Sequence, residues 1–258
     1  MVTEAQFPFL AEKGHVVSLV GGGGKTTLLY ALSEHCARRG WRVLAGTTTH
    51  IRQPKQNFAA DDADVKALWA AGAFAVLGTP DGGGKLTAPP PRQLEHWMEQ
   101  ADAVFLEADG AKRLPCKAPA AHEPVILPES DIVLAVAGLS AVEKPLETVC
   151  FRLETACALL GAAPETLLTP ELLARLLASE AGGRKQVGER QFYAVLNQVD
   201  DAARRALGEE TQKLLWERFR VRSVLTRFSE GERAQWQDRK RSCSARAAAA
   251  RPSSARGC

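Results

Sequence analysis

A buried strand followed at once by a glycine run and a lysine is the feature that most constrains the fold. Residues 15–20 read HVVSLV, a short apolar strand, and they lead into GGGG at 21–24 and KTT at 25–27. Glycine backbones can take positive φ and approach an anion closely, so such a turn can converge amide groups on a phosphate. The partial positive charge at the N-terminus of the following helix adds to the attraction. The pattern therefore predicts a phosphate-binding loop within an α/β fold.

Each residue of this loop has an expected role. The glycines and Thr27 would cradle phosphates, Lys25 would neutralise the outer ones, and the Thr26 hydroxyl would bind Mg²⁺. The common spacing G-x-x-x-x-G-K-[ST] would require glycine at Leu19. The loop is instead the shorter G-x-x-G-K-T-T, similar to that of the Mur ligases, and the alternative is a glycine-rich turn with an incidental lysine. The residues expected to bind the nucleotide phosphates are Gly21, Gly22, Gly23, Gly24, Lys25, Thr26 and Thr27.

A second glycine run, at 81–86 (DGGGKL), is interpreted as a turn or hairpin tip. Leu86 cannot bind a metal ion, and the prolines at 80 and 89–91 leave no helix start directly after the run.

An apolar strand at 103–106 ends in acidic residues, Glu107 and Asp109, the arrangement known as Walker B. The alternation of a strand points these two carboxylates the same way, where they would hold Mg²⁺ beside Thr26 or position a water or a substrate hydroxyl. We therefore expect Glu107 and Asp109 to be both metal ligands and catalytic residues. The alternative is a strand end with solvated acids.

The loop at 110–124 (GAKRLPCKAPAAHEP) is rich in cations and prolines. A stiff loop of this kind at the carboxyl edge of a parallel sheet is placed to contact phosphates or an anionic substrate. Lys112 is a third candidate catalytic residue, with Arg113 and Lys117 as further cations for an acceptor. The alternative is a solvated loop.

The segment LNQVD at 196–200 follows another strand. It is similar to the N-K-x-D segment of GTP-binding proteins, with Gln198 in place of the lysine. Asn197 and Asp200 keep the polar pair that would read a nucleotide base, which leaves ATP and GTP both open. The alternative for Asp200 is a helix N-cap.

Apolar strands alternate with amphipathic helices along most of the chain, which predicts a parallel sheet sandwiched by helices in an α/β, P-loop NTPase-like fold. The predicted domain covers 1–229, with a small helical insertion at about 151–182 and a disordered Arg/Ala-rich tail at 230–258. The expected strands are 15–20, 42–46, 73–77, 103–106, 131–137, 192–196 and 223–225, and the expected helices are 25–39, 61–71, 91–100 and 202–219.

The charge distribution argues against a nucleic-acid partner. Six arginine and lysine residues after residue 238 have no opposing acid, and they account for more than the formal net charge of +3. The remainder is mildly acidic, without a basic stripe. The sequence shows no secretory signal or membrane span, and its six cysteines are scattered, so a cytoplasmic protein with reduced thiols is expected.

With these motifs placed, the chain resembles the YqeC-type family, accessory proteins of selenium-dependent molybdenum hydroxylases. The matching segments span about 15–200, and the specific one is LEADGAKRLPCKAPAAHEPVI; the others are VGGGGKTTLL, TTTHI, AGLSA with KPL, and LNQVD. The resemblance implies a P-loop nucleotide-binding fold and a role in maturing the hydroxylase or inserting its cofactor. The Arg/Ala-rich tail departs from the family pattern.

Together these features predict a Mg²⁺-dependent protein that binds ATP or GTP, hydrolyses it, and assists a molybdenum hydroxylase or its cofactor precursor. One alternative is an ATP-dependent kinase or ligase that activates a small acceptor. Another is a nucleotide-gated adaptor without turnover, with residues 151–177 as its docking surface.

Overall fold

The computed structural model describes residues 2–232, and a seven-stranded parallel sheet forms its centre. The helices are α1 (Lys25–Ala37), α2 (Asp62–Ala70), α3 (Pro91–Met98), α4 (Leu146–Val149), α5 (Leu153–Leu160), α6 (Pro170–Ala178) and α7 (Ala202–Phe219). The strands are β1 (His15–Gly21), β2 (Val43–Thr47), β3 (His50–Arg52), β4 (Ala75–Val76), β5 (Thr79–Pro80), β6 (Lys85–Thr87), β7 (Ala103–Glu107), β8 (Cys116–Lys117), β9 (Ile132–Gly138), β10 (Cys150–Phe151), β11 (Gln191–Asn197) and β12 (Arg222–Leu225).

The strand order in the central sheet is β12-β11-β9-β1-β7-β2-β4, and every neighbouring pair is parallel. Strand β1 lies in the middle, with Leu19 beside Glu107 of β7 and Gly21 beside Val136 of β9. Because parallel strands end at the same edge, the carboxyl ends of β1, β7 and β9 lie together there. The predicted α/β class is confirmed.

Helices cover both faces of the sheet. Along β1, Val17 and Leu19 pack toward α1, whereas Val20 packs toward the layer that contains α5, α6 and α7. Helices α2 and α3 cover the second face nearer the β4 edge, where Trp97 is fully buried. The strands are apolar on both sides, as a sheet between two helical layers requires.

Two small sheets went unpredicted because strands of two or three residues carry no readable periodicity. Strands β3, β5 and β6 form an antiparallel sheet, and β8 pairs with β10. The predicted hairpin tip at 81–86 is confirmed: β5 and β6 flank it, and the Asp81 carboxylate accepts hydrogen bonds from the amides of Gly83 (2.7 Å) and Lys85 (3.0 Å).

The segment predicted as a helical insertion, 151–182, contains α5 and α6. Except for the exposed Leu167, its leucines pack in the core on the second face of the sheet. Leu173, Leu176 and Leu177 of α6 are buried, and α6 packs against α7. The predicted tail, 230–258, lies outside the described residues from 233 onward. Residues 230–232 are helical, with Ser229 and Glu232 exchanging hydrogen bonds.

Candidate functional site

The glycine loop joins β1 to α1 in a backbone conformation that requires glycine. Gly21, Gly23 and Gly24 have φ of +96°, +72° and +110°. A Cβ on Gly21 would lie 2.3 Å from the carbonyl oxygen of Val136. One on Gly23 would lie 2.1 Å from the amide nitrogen of Gly138. Left-handed dihedrals with backbone this close exclude other residues at these positions.

The amide groups of this loop divide into two sets. Those of Gly24, Lys25 and Thr26 donate to no group within residues 2–232, and they lie at the N-terminus of α1. The donors open to a phosphate are therefore at the helix start, while the preceding amides hold the loop in shape. The occupied amides are those of Gly21, bound to the Asp109 carboxylate, Gly22, bound to the Val136 carbonyl, and Gly23, bound to the Leu114 carbonyl.

Lys25 is folded back over the loop and is only 4% exposed. Its ammonium group lies 2.5 Å from the carbonyl oxygen of Gly21, 3.0 Å from Asp109 and 3.6 Å from Glu107. Burial alone lowers the pKa of Lys25, but the two carboxylates outweigh burial and hold that pKa above its ordinary value. Lys25 is therefore a cation at neutral pH, already paired inside the protein.

Thr26 and Glu107 form the oxygen pair nearest the start of α1. The Thr26 hydroxyl donates to Glu107 at 2.7 Å. Burial raises the pKa of Glu107, and Lys25 and Thr26 offset that rise only in part. Asp109 lies nearer to the Lys25 ammonium than Glu107 does, at 3.0 Å against 3.6 Å. Glu107 therefore takes up a proton at a higher pH than an ordinary glutamate.

Asp109 lies between two buried lysines instead of beside Thr26. Its carboxylate is 2% exposed and lies 3.0 Å from the ammonium of Lys25 and 2.9 Å from that of Lys117. Of the two carboxylates predicted as metal ligands, only Glu107 contacts Thr26. Asp109 instead connects the glycine loop to the loop that carries Lys117.

Lys117 continues this chain of charges outward. Its ammonium lies 3.0 Å from Glu123, which also accepts a hydrogen bond from Nε of Arg152 at 3.1 Å. Burial raises the pKa of Glu123, but the Ala120 amide and these two cations outweigh burial and lower the pKa to about 2. Lys117 was predicted only as a cation for an acceptor, and Arg152 was not predicted as a site residue. The burial of these side chains and their ion pairs cannot be recognised from the spacing of residues in the sequence.

Lys112, the third residue predicted as catalytic, lies apart from this buried network. It is exposed, its φ is +47°, and its ammonium lies 5.2 Å from the ring centroid of Phe151. Lys112 therefore lies on the surface of the loop at 110–124. The lysine of this loop that contacts Asp109 is Lys117.

Asn197, one of the two predicted base-reading residues, contacts the glycine loop. Its amide nitrogen donates to the carbonyl oxygen of Gly23 at 2.8 Å, and its side-chain oxygen accepts from Thr226 at 2.9 Å. Both polar ends of Asn197 are therefore engaged inside the protein, where they hold the loop against β11.

Asp200, the other predicted base-reading residue, is half-buried and lies 2.9 Å from the guanidinium of Arg204. The alternative that Asp200 caps α7 is wrong. The N-cap is Asp201, whose carboxylate accepts from the Arg204 amide at 2.8 Å.

Oxygen ligands at Thr26 and Glu107 suit a hard divalent cation, and their contact fits Mg²⁺. Within residues 2–232, no group of three or more His, Cys, Asp or Glu side chains is arranged to hold a metal ion. A cation at this pair would take its other oxygens from phosphates and water, as Mg²⁺ commonly does.

In the same part of the chain, none of the helices has both the length and the apolar character needed to cross a membrane.

Comparison with known proteins gives two matches. The sequence model of a family described as YqeC protein matches residues 17–154, the stretch that holds the glycine loop, Glu107, Asp109 and Lys117. YqeC of Escherichia coli (strain K12) is 36% identical over 131 residues, which cover 48% of this chain and 51% of that protein. The chain therefore spans about half the length of the curated relative that it matches.

Proposed function

The chain belongs to the YqeC family, and from that premise we propose that it is a Mg²⁺-dependent protein that binds and hydrolyses ATP or GTP. The observation that carries this proposal is the convergence at the end of β1. Three open amides at the start of α1, a buried lysine and the contact between Thr26 and Glu107 lie together there. Backbone donors, a cation and hard oxygen ligands are what a metal–nucleotide phosphate requires.

The residues of this site would act mainly by position and charge. Phosphate oxygens would accept from the amides of Gly24, Lys25 and Thr26. The Lys25 ammonium would exchange Asp109 for a phosphate oxygen, and Lys117 would remain as the partner of Asp109. Thr26 and Glu107 would hold Mg²⁺, which supplies charge neutralisation to the phosphates. Such an arrangement stabilises charge in phosphoryl transfer without a covalent step on the protein.

The biological role that we propose is that of an accessory protein. It would assist maturation or cofactor insertion of selenium-dependent molybdenum hydroxylases, with a hydroxylase or its cofactor precursor as partner. The family resemblance supports this role. The thiols of Cys36, Cys116, Cys150 and Cys157 are free, which agrees with the cytoplasmic location that we also propose.

Calorimetric titration with ATP and with GTP, with and without Mg²⁺, tests nucleotide binding. We expect Lys25→Ala to weaken binding about 100-fold, because a charge-assisted contact with phosphate contributes roughly 1.5–3 kcal/mol. Lys85→Ala is the matched control, since Lys85 also follows a glycine run but lies in the β5–β6 hairpin, and it should bind as the wild type does. Nucleotide binding that is absent in the wild type, or equal in Lys25→Ala, would contradict the proposal.

The raised pKa of Glu107 predicts how binding depends on pH. A carboxyl group with a raised pKa takes up its proton at a higher pH than an ordinary glutamate, so its hold on Mg²⁺ weakens earlier as the pH falls. The gain in nucleotide affinity given by Mg²⁺ should therefore shrink as the pH falls from 8 toward the ordinary glutamate pKa of about 4.3.

Titrations without Mg²⁺ in the same buffers correct for protonation of the nucleotide itself. Glu107→Gln has no carboxylate to titrate at this position. In this variant Mg²⁺ should increase nucleotide affinity only slightly, and that increase should not show the pH dependence of the wild type. An identical profile in the wild type and Glu107→Gln would show that another group is responsible.

A second candidate function is nucleotide-dependent transfer to a small acceptor, as in a kinase or ligase. The observation that favours it is that exposed Lys112 and half-buried Arg152 lie beside Phe151. The loop that carries Lys112 also contacts the glycine loop, through the Leu114 carbonyl. Nucleotide turnover without any added acceptor favours hydrolysis, whereas turnover that requires an acceptor favours transfer.

A further inference from the structure

The pairing of β8 with β10 gathers cations around one aromatic ring. Phe151 lies beside Lys117 in the register of these strands. The Phe151 ring centroid is 4.9 Å from the guanidinium carbon of Arg152, 5.2 Å from the ammonium of Lys112 and 5.9 Å from that of Lys117. The negative face of an aromatic ring attracts cations, which offsets part of their mutual repulsion.

Only part of this positive charge is neutralised within the described residues. Lys117 has both Asp109 and Glu123, but Arg152 shares that same Glu123 and contacts it through Nε alone. Neither terminal nitrogen of Arg152 donates to a group of residues 2–232. No carboxylate of that range lies within ion-pair distance of Lys112. Lys112 is exposed and the Arg152 side chain is 31% exposed, so these donors are available to an external anion.

The backbone carries strain at both residues that supply the open donors. Lys112 and Arg152 have φ of +47° and +64°, in the left-handed region, and the neighbouring Arg113 has +66°. A non-glycine residue held there costs about 1–2 kcal/mol, and such residues concentrate at ligand sites. Two of these residues, Lys112 and Arg152, lie beside the Phe151 ring, so the strain coincides with the cluster of cations.

This cationic cluster adjoins the glycine loop. The carbonyl of Leu114 accepts from the amide of Gly23, and the carbonyl of Pro115 accepts from the amide of Gly138. The loop that carries Lys112 therefore packs on the proposed phosphate site, and Asp109 connects the two through Lys117.

We propose that Lys112 and Arg152, held over Phe151, form a second anion site that binds the phosphate or carboxylate group of a small-molecule substrate. The planar guanidinium offers paired donors, which suit an oxyanion, and the ammonium adds a second positive charge. As the site of the acceptor in a transfer reaction, it rests on the proposed nucleotide function. As an anion site, it stands on its own geometry.

Calorimetric titration with two probes, inorganic pyrophosphate and citrate, tests the site at constant ionic strength. The full-length protein is first saturated with Mg²⁺ and a non-hydrolysable nucleotide, so that the glycine loop is filled. The same two probes are also titrated into Lys25→Ala without nucleotide. This second experiment tests the anion site even if the wild type binds no nucleotide. Preference for pyrophosphate or for citrate identifies the phosphate or the carboxylate class, and either preference supports the site.

Each test variant has a control variant in which the replaced cation also lies beside an aromatic ring. Lys112→Gln and Arg152→Gln should each weaken binding of the preferred probe about tenfold, as expected for loss of a charge-assisted contact. Lys66→Gln and Arg184→Gln are the controls, because Lys66 lies 6.0 Å from the ring of Trp97 and Arg184 lies 5.3 Å from that of Phe192. Both controls should stay within about twofold of the wild type.

The site is refuted if neither probe binds, or if Lys112→Gln and the control variants bind alike. Lys112 is exposed, so its replacement should leave the thermal unfolding temperature unchanged and the result can be read directly. Failure of the nucleotide to bind, with probe binding still lost in Lys112→Gln, would overturn the nucleotide function and keep the anion site.

Discussion

Replacement of Gly23 by alanine is expected to cost about 2–5 kcal/mol of unfolding free energy and to abolish nucleotide binding. Gly23 has φ of +72°, and a Cβ there would lie 2.1 Å from the amide nitrogen and 2.6 Å from Cα of Gly138. Gly138 ends β9, which is paired with β1 and β11 and cannot move aside without breaking the sheet. The left-handed conformation accounts for roughly 1–2 kcal/mol and the overlap for roughly 1–3 kcal/mol.

Gly82→Ala separates these two contributions. Gly82 has φ of +77°, almost the same as Gly23, but a Cβ there would meet nothing within 4 Å. We expect a loss of about 1 kcal/mol, from backbone conformation alone, with unchanged nucleotide binding. Urea unfolding and calorimetry of both variants measure the difference. Equal losses for Gly23→Ala and Gly82→Ala would show that the close approach to Gly138 has no energetic weight.

Asp109→Asn is the second change for which we expect a large effect, a loss of about 3–5 kcal/mol. The carboxylate of Asp109 lies between the ammonium groups of Lys25 and Lys117, and all three side chains are at least 97% buried. Asparagine can still accept from the Gly21 amide, but it carries no charge. The buried ammonium groups of Lys25 and Lys117 would then lose the negative charge that they share. A buried charge without its counter-ion is strongly destabilising.

Asp102, whose side chain is 13% exposed, provides a closely matched control. It also lies between two cations, at 3.4 Å from Lys13 and 3.3 Å from Arg42, and it also accepts from a backbone amide. Both of those cations are more than half exposed, so Asp102→Asn should cost about 1 kcal/mol. The urea concentrations at the unfolding midpoint of the two variants are compared, provided that their m-values are equal. A loss for Asp109→Asn no larger than that for Asp102→Asn would place the strength of this network in doubt.

Most of the fold was predictable because its strands and helices carry strong local signals. The apolar run of β9 and the alternation of β1 with α1 need no distant partner to be recognised, and α7 was predicted with its observed bounds, Ala202–Phe219. Strands β8 and β10 could not be predicted in this way, since each has two residues and exists only through the other. That pair nevertheless places Lys117 beside Phe151.

The candidate site was predictable as a set of positions but not as a set of contacts. Thr26 and Glu107 were expected together and lie 2.7 Å apart. Asp109 was expected beside them and instead pairs with two lysines, because the Gly21 amide and Lys117 approach it from other elements. The assigned roles in metal binding, catalysis and base reading stay predictions, which the nucleotide experiments test.

The sequence by itself determined the parallel sheet, the glycine loop between β1 and α1, and the acidic end of β7, because each depends on residues close together in the chain. Only the tertiary structure decided how the loop's charges are paired. Lys25, Asp109, Lys117, Glu123 and Arg152 come from separate segments, and their contacts depend on strand register and burial. In a low-dielectric interior a charge is stable only beside its counter-ion, so the fold, and not the spacing of residues, determines these pairs.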